Sequence, residues 1–313
     1  MGPKVIVIAG PTAIGKTGLG IELAQQFNGE IINGDSMQVY RELAIGTAKP
    51  TKLEQDIVPH NLINTHSVDE NYDASQFKKL ALKAIDQIWS KGKIPIIVGG
   101  SGLYLQGLVE DMTFGFQKHQ KGKFDGLSND ELLQKLTLID PESAKSIHLN
   151  QRRRLERALE VSQSNQLFSK QKTDQPSEIT SDESPSYLCI ALSTERLRLY
   201  ERINRRVDIM VENGLIEETK WLYAHFRQTN QTEDKTAIKA IGYKELFPYI
   251  EGEKSLEECL MVLKQSSRRY AKRQLTWFKN RMPYCHWFDL LDVDKKDNDR
   301  EKINRLVTDF LRR

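Results

Sequence analysis

The stretch that most constrains the fold is the glycine-rich segment Gly10-Pro11-Thr12-Ala13-Ile14-Gly15-Lys16-Thr17. It follows the apolar run Val5–Ala9 and opens a segment whose apolar residues recur at helical spacing, so it lies between a predicted strand and a predicted helix. In that setting the backbone N–H groups can turn around an anion, and the helix N-terminus adds positive potential. Lys16 supplies a mobile charge, and the Thr17 hydroxyl can ligate a magnesium ion. The segment predicts a phosphate or diphosphate site and leaves the compound open.

Strands and helices alternate along the chain, which predicts an α/β fold with a doubly wound parallel sheet, like that of P-loop NTPases. The predicted strands are 5–9, 30–33, 94–98, 187–192 and 286–291. In such sheets ligands bind beyond the carboxyl ends of the strands. Three of these ends carry the phosphate loop, Asp35 and Ser101, so we expect them to form one site.

Residues 114–186 are predicted to be a mainly helical insertion in this core, which comprises 1–113 and 187–313. Helices are predicted inside the insertion at 129–138 and 141–164, and 165–186 is polar and proline-containing, as in an exposed connection. The helices predicted after the insertion are 195–212, 215–227, 236–249, 255–281 and 298–312.

The composition is that of a soluble globular protein, with 39% hydrophobic and 28% charged residues. No apolar run approaches the ~20 residues of a membrane helix, and no leader precedes the first strand, so a cytoplasmic protein without membrane contact is expected. The three cysteines and six histidines show no metal-ligand spacing.

Basic residues cluster in two places. Seven lie between Cys259 and Phe288 with no acidic residue, and Arg152-Arg153-Arg154 with Arg157 forms the second cluster. These clusters are either solvated helix faces or the electrostatic footprint of a nucleic-acid surface.

Arg198, Arg202 and Arg206 form a row of like charge at i, i+4 spacing on one predicted helix. Arg202 and Arg206 have no acidic residue at ±3 or ±4. They therefore require either a carboxylate from elsewhere in the fold or a phosphate ligand.

Asp35 and Ser101 each have two interpretations. Asp35 is either a turn aspartate or a general base at the mouth of a strand. Ser101 either belongs to a tight glycine turn or donates a hydrogen bond to an acceptor substrate. The chain has no Asn-Lys-x-Asp motif, which disfavours a GTPase, and no acidic residue at the end of the third long strand, which disfavours a Walker-type ATPase. A small-molecule kinase stays open.

Several stretches together resemble the tRNA dimethylallyltransferase (tRNA isopentenyltransferase) family, bacterial type, over nearly the whole chain. The matching segments are GPTAIGKT at 10–17, IINGDSMQVYR at 31–41, IGTAKP at 45–50, PIIVGGSGLY at 95–104, RLERALEV at 154–161, YERINRRVDIM at 200–210, IGYKEL at 241–246 and KRQLTWF at 272–278.

The resemblance implies that magnesium-bound dimethylallyl diphosphate lies in the phosphate loop. Its five-carbon group then goes to the exocyclic amino nitrogen of the adenosine 3′ of the anticodon. Asp35 matches the catalytic aspartate, and Arg206 matches the arginine at the diphosphate. Lys16, Thr17 and Ser101 complete the expected catalytic set, and ATP would be neither fuel nor substrate.

The resemblance also implies a tRNA-binding set. It comprises Asp35, Ser36, Met37, Gln38, Ser101, Arg153, Arg154, Leu155, Glu156, Arg157, Lys239, Ala240, Ile241, Gly242, Tyr243, Lys244, Lys272 and Arg273. The target base must leave the anticodon-loop stack to reach Asp35.

The chain departs from the family pattern at Asn33, Asn61, Asn64 and 149–151, and residues 115–128 follow no family pattern. No zinc finger is present, and a monomer is expected. The alternatives are prenylation of free adenine nucleotides and a non-catalytic RNA-binding protein.

Overall fold

The computed structural model describes residues 2–112, 114, 122–162, 184–229 and 235–313. The chain divides into two compact units, Met1–Val109 with Ser181–Arg313, and Glu110–Thr180. The second unit begins and ends a few residues earlier than the insertion predicted at 114–186. The predicted connection at 165–186 lies, up to residue 183, outside the described residues.

The first unit is built on six parallel strands in the order β3-β2-β4-β1-β5-β6. The strands are β1 Lys4–Ala9, β2 Gly29–Asn33, β3 His60–Asn61, β4 Ile94–Gly99, β5 Ser186–Leu192 and β6 His286–Phe288. This sheet confirms the predicted α/β fold class. The short edge strand β3 was not predicted, because two residues give no periodic signal.

The helices are α1 Lys16–Gln26, α2 Lys52–Ile57, α3 Ala74–Ser90, α4 Gly102–Val109, α5 Asn129–Ile139, α6 Pro141–Ser146, α7 Arg152–Ser162, α8 Arg196–Glu212, α9 Leu215–Thr229, α10 Phe247–Ile250, α11 Leu256–Arg281 and α12 Lys296–Arg312. Among the described residues, none of these helices is both long and apolar enough to cross a membrane.

Two helix predictions were wrong. The helix predicted at 141–164 is two helices, α6 and α7, in its described part. The helix predicted at 236–249 is two 3-10 turns, Ala237–Lys239 and Lys244–Leu246, followed by α10. Gly242 between the turns has φ +116°, a conformation that no α-helix contains.

The core of the first unit forms where α1, α8, α11 and α12 cover the sheet. Its centre includes Ile6, Ile8, Leu23, Ile190 and Ile203, all with no exposed area. The second unit has its own smaller core, in which Leu132 and Leu136 of α5 pack with Leu155 and Leu159 of α7. The phosphate loop, Asp35, α8 and α11 all belong to the first unit.

Candidate active site

The phosphate loop joins β1 to α1 and has the backbone that its glycines permit. Gly10 and Gly15 have φ of +146° and +104°, and Ala13, the one non-glycine residue of the loop with positive φ, has +64°. A Cβ at Gly10 would lie 2.8 Å from the Leu192 carbonyl oxygen at the end of β5. The space around Gly15 is open to 4 Å. The loop is therefore a cradle with room for an anion at the start of α1.

Lys16 curls back over this cradle, and its Nζ donates to the Pro11 carbonyl at 2.7 Å. Burial lowers the pKa of Lys16 to about 7, which the Asp35 carboxylate opposes and Arg206 reinforces. Without an anion, the ammonium is thus poorly stabilised. The side chains of Pro11 and Ile14 are buried, so these two residues present only backbone to a ligand.

Arg206 reaches the loop from α8. Its Nη2 donates to the Thr12 hydroxyl, whereas its Nε is buried and no described residue accepts a hydrogen bond from it. Burial lowers the pKa of Arg206 to about 10, and Asp35 opposes this shift. The side chain therefore stays charged at neutral pH, and its Nε–H can donate to a ligand. A charged donor of this kind favours an anion.

The other two arginines of the row have protein partners. Arg202 donates from Nε to the Ala13 carbonyl at 2.9 Å, so it supports the phosphate loop from outside. Arg198 forms ion pairs with Asp292 at 3.4 Å and Asp289 at 3.9 Å. Arg198 and Arg202 therefore have partners elsewhere in the fold, whereas the Nε of Arg206 has no acceptor among the described residues.

Asp35 follows β2, whose last residue Asn33 fixes the turn. The Asn33 side chain accepts from the Asp35 N–H at 3.0 Å and donates to the Asp35 and Leu62 carbonyls at 3.2 and 3.0 Å. Asp35 Oδ1 accepts from the Met37 N–H at 2.8 Å, and no described residue donates to Oδ2. The bond to Oδ1 is that of a turn aspartate, whereas the general-base interpretation stays a prediction for Oδ2.

Ser101 lies at the end of β4, where its side chain is 9% exposed. Its Oγ accepts from the Ser36 N–H at 3.1 Å. Burial raises the pKa of Tyr270 on α11, and the Ser101 side chain opposes this shift, so the two side chains are close. The residues on either side of Ser101 are glycines because a side chain at either position would collide with α11. A Cβ at Gly100 would lie 2.3 Å from Gln274 Nε2, and one at Gly102 would lie 2.3 Å from Trp277 Cδ1.

Gln274 is the main residue of the site that the sequence did not identify. Its Oε1 accepts from the Thr12 N–H at 2.9 Å, and its Nε2 donates to the Gly100 carbonyl at 2.9 Å. The available signal was a polar residue within the buried stripe of α11, between Ala271 and Phe278.

Glu218 of α9 is a second residue of this region that the sequence did not identify. Its carboxylate accepts from the N–H groups of Ala44, Ile45 and Gly46 at 2.8 to 3.0 Å and from the Tyr243 hydroxyl at 2.6 Å. Gln38 donates to the next carbonyls of the same loop, those of Thr47 and Ala48. Gln38 and Tyr243, both expected to contact RNA, hold this loop in place.

The remaining residues of the expected tRNA-binding set differ in exposure. Gly242 is buried, and four residues are half-buried: Ser36, Met37, Glu156 and Ile241. The side chains of Leu155, Ala240 and Tyr243 are buried, so any contact that their segments make with RNA falls to exposed neighbours. Arg153, Lys239, Lys244, Lys272 and Arg273 are exposed, and Arg154 and Arg157 are half-buried. Arg157 forms an ion pair with Glu160, and Arg152 is tied to the Leu127 and Phe124 carbonyls.

The chain combines a parallel sheet with a glycine-rich loop after β1, two half-buried cations at that loop, and a carboxylate after β2, one strand removed from β1 in the sheet. This arrangement is that of a P-loop-like fold with a candidate anion site at the carboxyl ends of its strands. The comparisons with known proteins specify the family. The family model described as IPP transferase matches residues 38–281.

Among curated proteins, the tRNA dimethylallyltransferase of Limosilactobacillus reuteri is 44% identical over 321 residues, with 99% of each chain covered. A solved structure of a tRNA delta(2)-isopentenylpyrophosphate transferase from Staphylococcus epidermidis has a TM-score of 0.67 and 42% identity, and covers 97% of this chain and 99% of the other. A eukaryotic dimethylallyltransferase acting on tRNA has a TM-score of 0.82 and 33% identity, over 96% of this chain and 77% of the other. The chain belongs to the tRNA dimethylallyltransferase family.

Proposed function

We propose that this protein transfers a dimethylallyl group from dimethylallyl diphosphate to the exocyclic amino nitrogen of the adenosine 3′ of the anticodon in tRNA. The observation that carries the proposal is electrostatic. Asp35 opposes the lowering of the pKa of two half-buried cations, Lys16 and Arg206, so the carboxylate and the anion cradle belong to one site. Family membership supplies the donor and the acceptor.

The reaction needs a base because the amino nitrogen's lone pair is delocalised into the adenine ring. Asp35 Oδ2 accepts the N–H proton while the new bond forms between this nitrogen and C1 of the dimethylallyl group. The bond from C1 to the diphosphate oxygen breaks, and its electron pair leaves with the diphosphate. Lys16, Arg206 and the loop N–H groups stabilise the charge that develops there.

Magnesium fits the residues of the site. The described residues contain no group of three acidic, histidine or cysteine side chains that could hold a metal alone. Mg²⁺ is commonly bound through one or two protein oxygens together with substrate phosphates, and the half-buried Thr17 hydroxyl at the start of α1 is such an oxygen. When bound, the ion would neutralise charge on the diphosphate.

The tRNA would bind through basic surfaces of both units. Arg153, Arg154 and Arg157 lie on α7 of the Glu110–Thr180 unit, which we propose contacts tRNA. Lys239, Lys244, Lys272 and Arg273 lie on the first unit. We propose a cytoplasmic monomer, because one chain carries the phosphate loop, the base and both basic surfaces.

The test offers dimethylallyl diphosphate and Mg²⁺ with either an anticodon stem-loop RNA or ATP, ADP and AMP. We expect transfer to the stem-loop only, and none to a matched stem-loop in which guanosine replaces the target adenosine. Transfer to free nucleotides alone would overturn the proposal in favour of a nucleotide prenyltransferase.

The role of Asp35 is tested with Asp35→Asn, since asparagine keeps the acceptor for the Met37 N–H and lacks the base. We expect turnover to fall by about 10²- to 10⁴-fold, with stem-loop affinity within a few-fold of the wild type. An equal loss of both would make the carboxylate a binding group.

A further inference from the structure

Helix α11 approaches the site with three side chains on one face, Tyr270, Gln274 and Trp277, spaced four and three residues apart. Tyr270 lies near Ser101, which opposes the rise in the pKa of Tyr270, and Trp277 packs on Gly102. Gln274 lies between them and is 5% exposed. This face touches the end of β4, and through Gln274 it also touches the phosphate loop.

The Gln274 carboxamide has only one orientation that satisfies its neighbours. The Thr12 N–H must face an acceptor and the Gly100 carbonyl must face a donor, so Oε1 points to Thr12 and Nε2 points to Gly100. Neither residue is held this way by a local hydrogen bond. The amide therefore fixes the distance between the loop and the strand end that carries Ser101.

Thr12 is also the residue on which Arg206 depends, because its hydroxyl accepts from Arg206 Nη2. A displacement of Thr12 would thus move the arginine that faces the anion cradle. The Thr12 N–H is occupied by Gln274, so it is unavailable to a ligand, and its function is to anchor the loop.

We infer that Gln274 is a positioning residue for the diphosphate site. It holds Thr12, and through Thr12 it holds Arg206, in register with the strand end at Gly100–Ser101. This deepens the proposed function, on which it rests for the identity of the donor substrate. The positioning role of Gln274 applies to any diphosphate bound in the loop.

The variant Gln274→Glu tests whether Gln274 acts through its hydrogen bonds or only by filling space. The variant keeps the shape, but an ionised carboxylate places an acceptor against the Gly100 carbonyl, whereas a protonated carboxyl restores the donor. Asp35 after β2 and Arg273 on α11 act on Tyr270, which lies one turn before position 274. Arg206 on α8 donates to Thr12, the partner of Gln274, and Lys16 on α1 interacts with both Asp35 and Arg206.

The readout is the affinity for inorganic diphosphate with Mg²⁺, by calorimetry at pH 6 and pH 8, with folding checked by circular dichroism. For Gln274→Glu, we expect binding at least tenfold weaker than wild type at pH 8 and within threefold at pH 6. The control Gln265→Glu places the same charge on the exposed face of α11 and should match the wild type at both pH values. A wild-type pH profile for Gln274→Glu would overturn the inference.

Gln274→Met gives a second test that does not depend on a buried charge. It removes both hydrogen bonds at similar volume and should weaken diphosphate binding at least tenfold at both pH values, with stem-loop affinity unchanged within twofold. Unchanged diphosphate affinity would equally overturn the inference. Failure of the proposed function would instead show as wild-type protein that binds diphosphate and transfers nothing to RNA.

Discussion

Arg206 donates a hydrogen bond to the hydroxyl of Thr12, and this contact joins α8 to a phosphate loop that lies 194 residues earlier in the chain. The Arg206 side chain is half-buried, and its Nε atom is buried with no acceptor among the described residues. A buried charge with an unpaired donor is costly until an anion arrives. The position of Arg206 therefore favours anion binding, and it lowers the stability of the ligand-free protein.

Arg206→Met should show this trade directly. We expect kcat/KM for transfer to fall by about 10²-fold or more, while the melting temperature of the ligand-free protein stays equal or rises. Arg202→Met is the matched control, since Arg202 is exposed and, within the described part of the chain, donates only to the Ala13 carbonyl. It should lose less than about tenfold in kcat/KM. Equal kinetic losses in the two variants would contradict the prediction.

Lys16 should take up a proton when diphosphate binds. Its pKa of about 7 in the free protein lies below the ordinary value of 10.5, so most of the side chain is neutral at pH 8. A bound anion raises the pKa, so the affinity falls as pH increases above 7. Calorimetry at pH 8 in buffers of different ionisation enthalpy should give a larger proton uptake for wild type than for Lys16→Met, by up to about one proton. Equal uptake would place the titrating group elsewhere.

Lys272→Ala should flatten the salt dependence of RNA binding. Lys272 is exposed on α11, and no ion pair with a described residue neutralises it. Loss of one phosphate contact should reduce the slope of log K against log salt by about 0.7–0.9. Lys264, on the same helix, forms an ion pair with Asp208 at 2.5 Å, so Lys264→Ala should leave the slope unchanged. If Lys272→Ala leaves the slope unaltered, the Lys272 face of α11 is exposed to solvent and does not contact RNA.

Gly100→Ala should destabilise the protein, because the new Cβ would lie 2.3 Å from Gln274 Nε2. We expect the free energy of unfolding to fall by about 1–3 kcal/mol. Gly18→Ala introduces the same group into open space within α1 and should be neutral or stabilising by about 0.5–1 kcal/mol. Denaturant melts of both variants test the pair, and similar midpoints would refute the crowding argument.

Local signals in the sequence were sufficient for five of the six strands, and they indicated one half of the candidate site. The phosphate loop, Asp35 and Ser101 are each adjacent to a strand, and parallel strands bring their carboxyl ends together by geometry. The uncompensated charges of the arginine row predicted a carboxylate or a phosphate for Arg202 and Arg206. Among the described residues, the partner of Arg202 is instead the Ala13 carbonyl and that of Arg206 is the Thr12 hydroxyl, so a phosphate at Arg206 stays a prediction. Which partner each one has depends on how α8 packs, and no periodic pattern encodes that.

The other half of the site comes from helix packing and was not predictable in the same way. Gln274 looks like an ordinary polar residue in a basic helix until α11 is placed against Gly100 and Gly102. The helix predicted at 236–249 failed for a related reason, because Gly242 takes a left-handed conformation where it packs against Gly46. Such close backbone approaches depend on tertiary structure, which overrides helix propensity.

The hydrogen bond from Thr12 to Gln274 spans 262 residues, and this has a consequence for protein synthesis. At about 5–20 residues per second, tens of seconds separate the translation of the phosphate loop from that of the helix that anchors it. The growing chain thus carries an unanchored loop during most of its synthesis. A ribosome-bound chain that ends before α11 should therefore bind diphosphate more weakly than the completed protein.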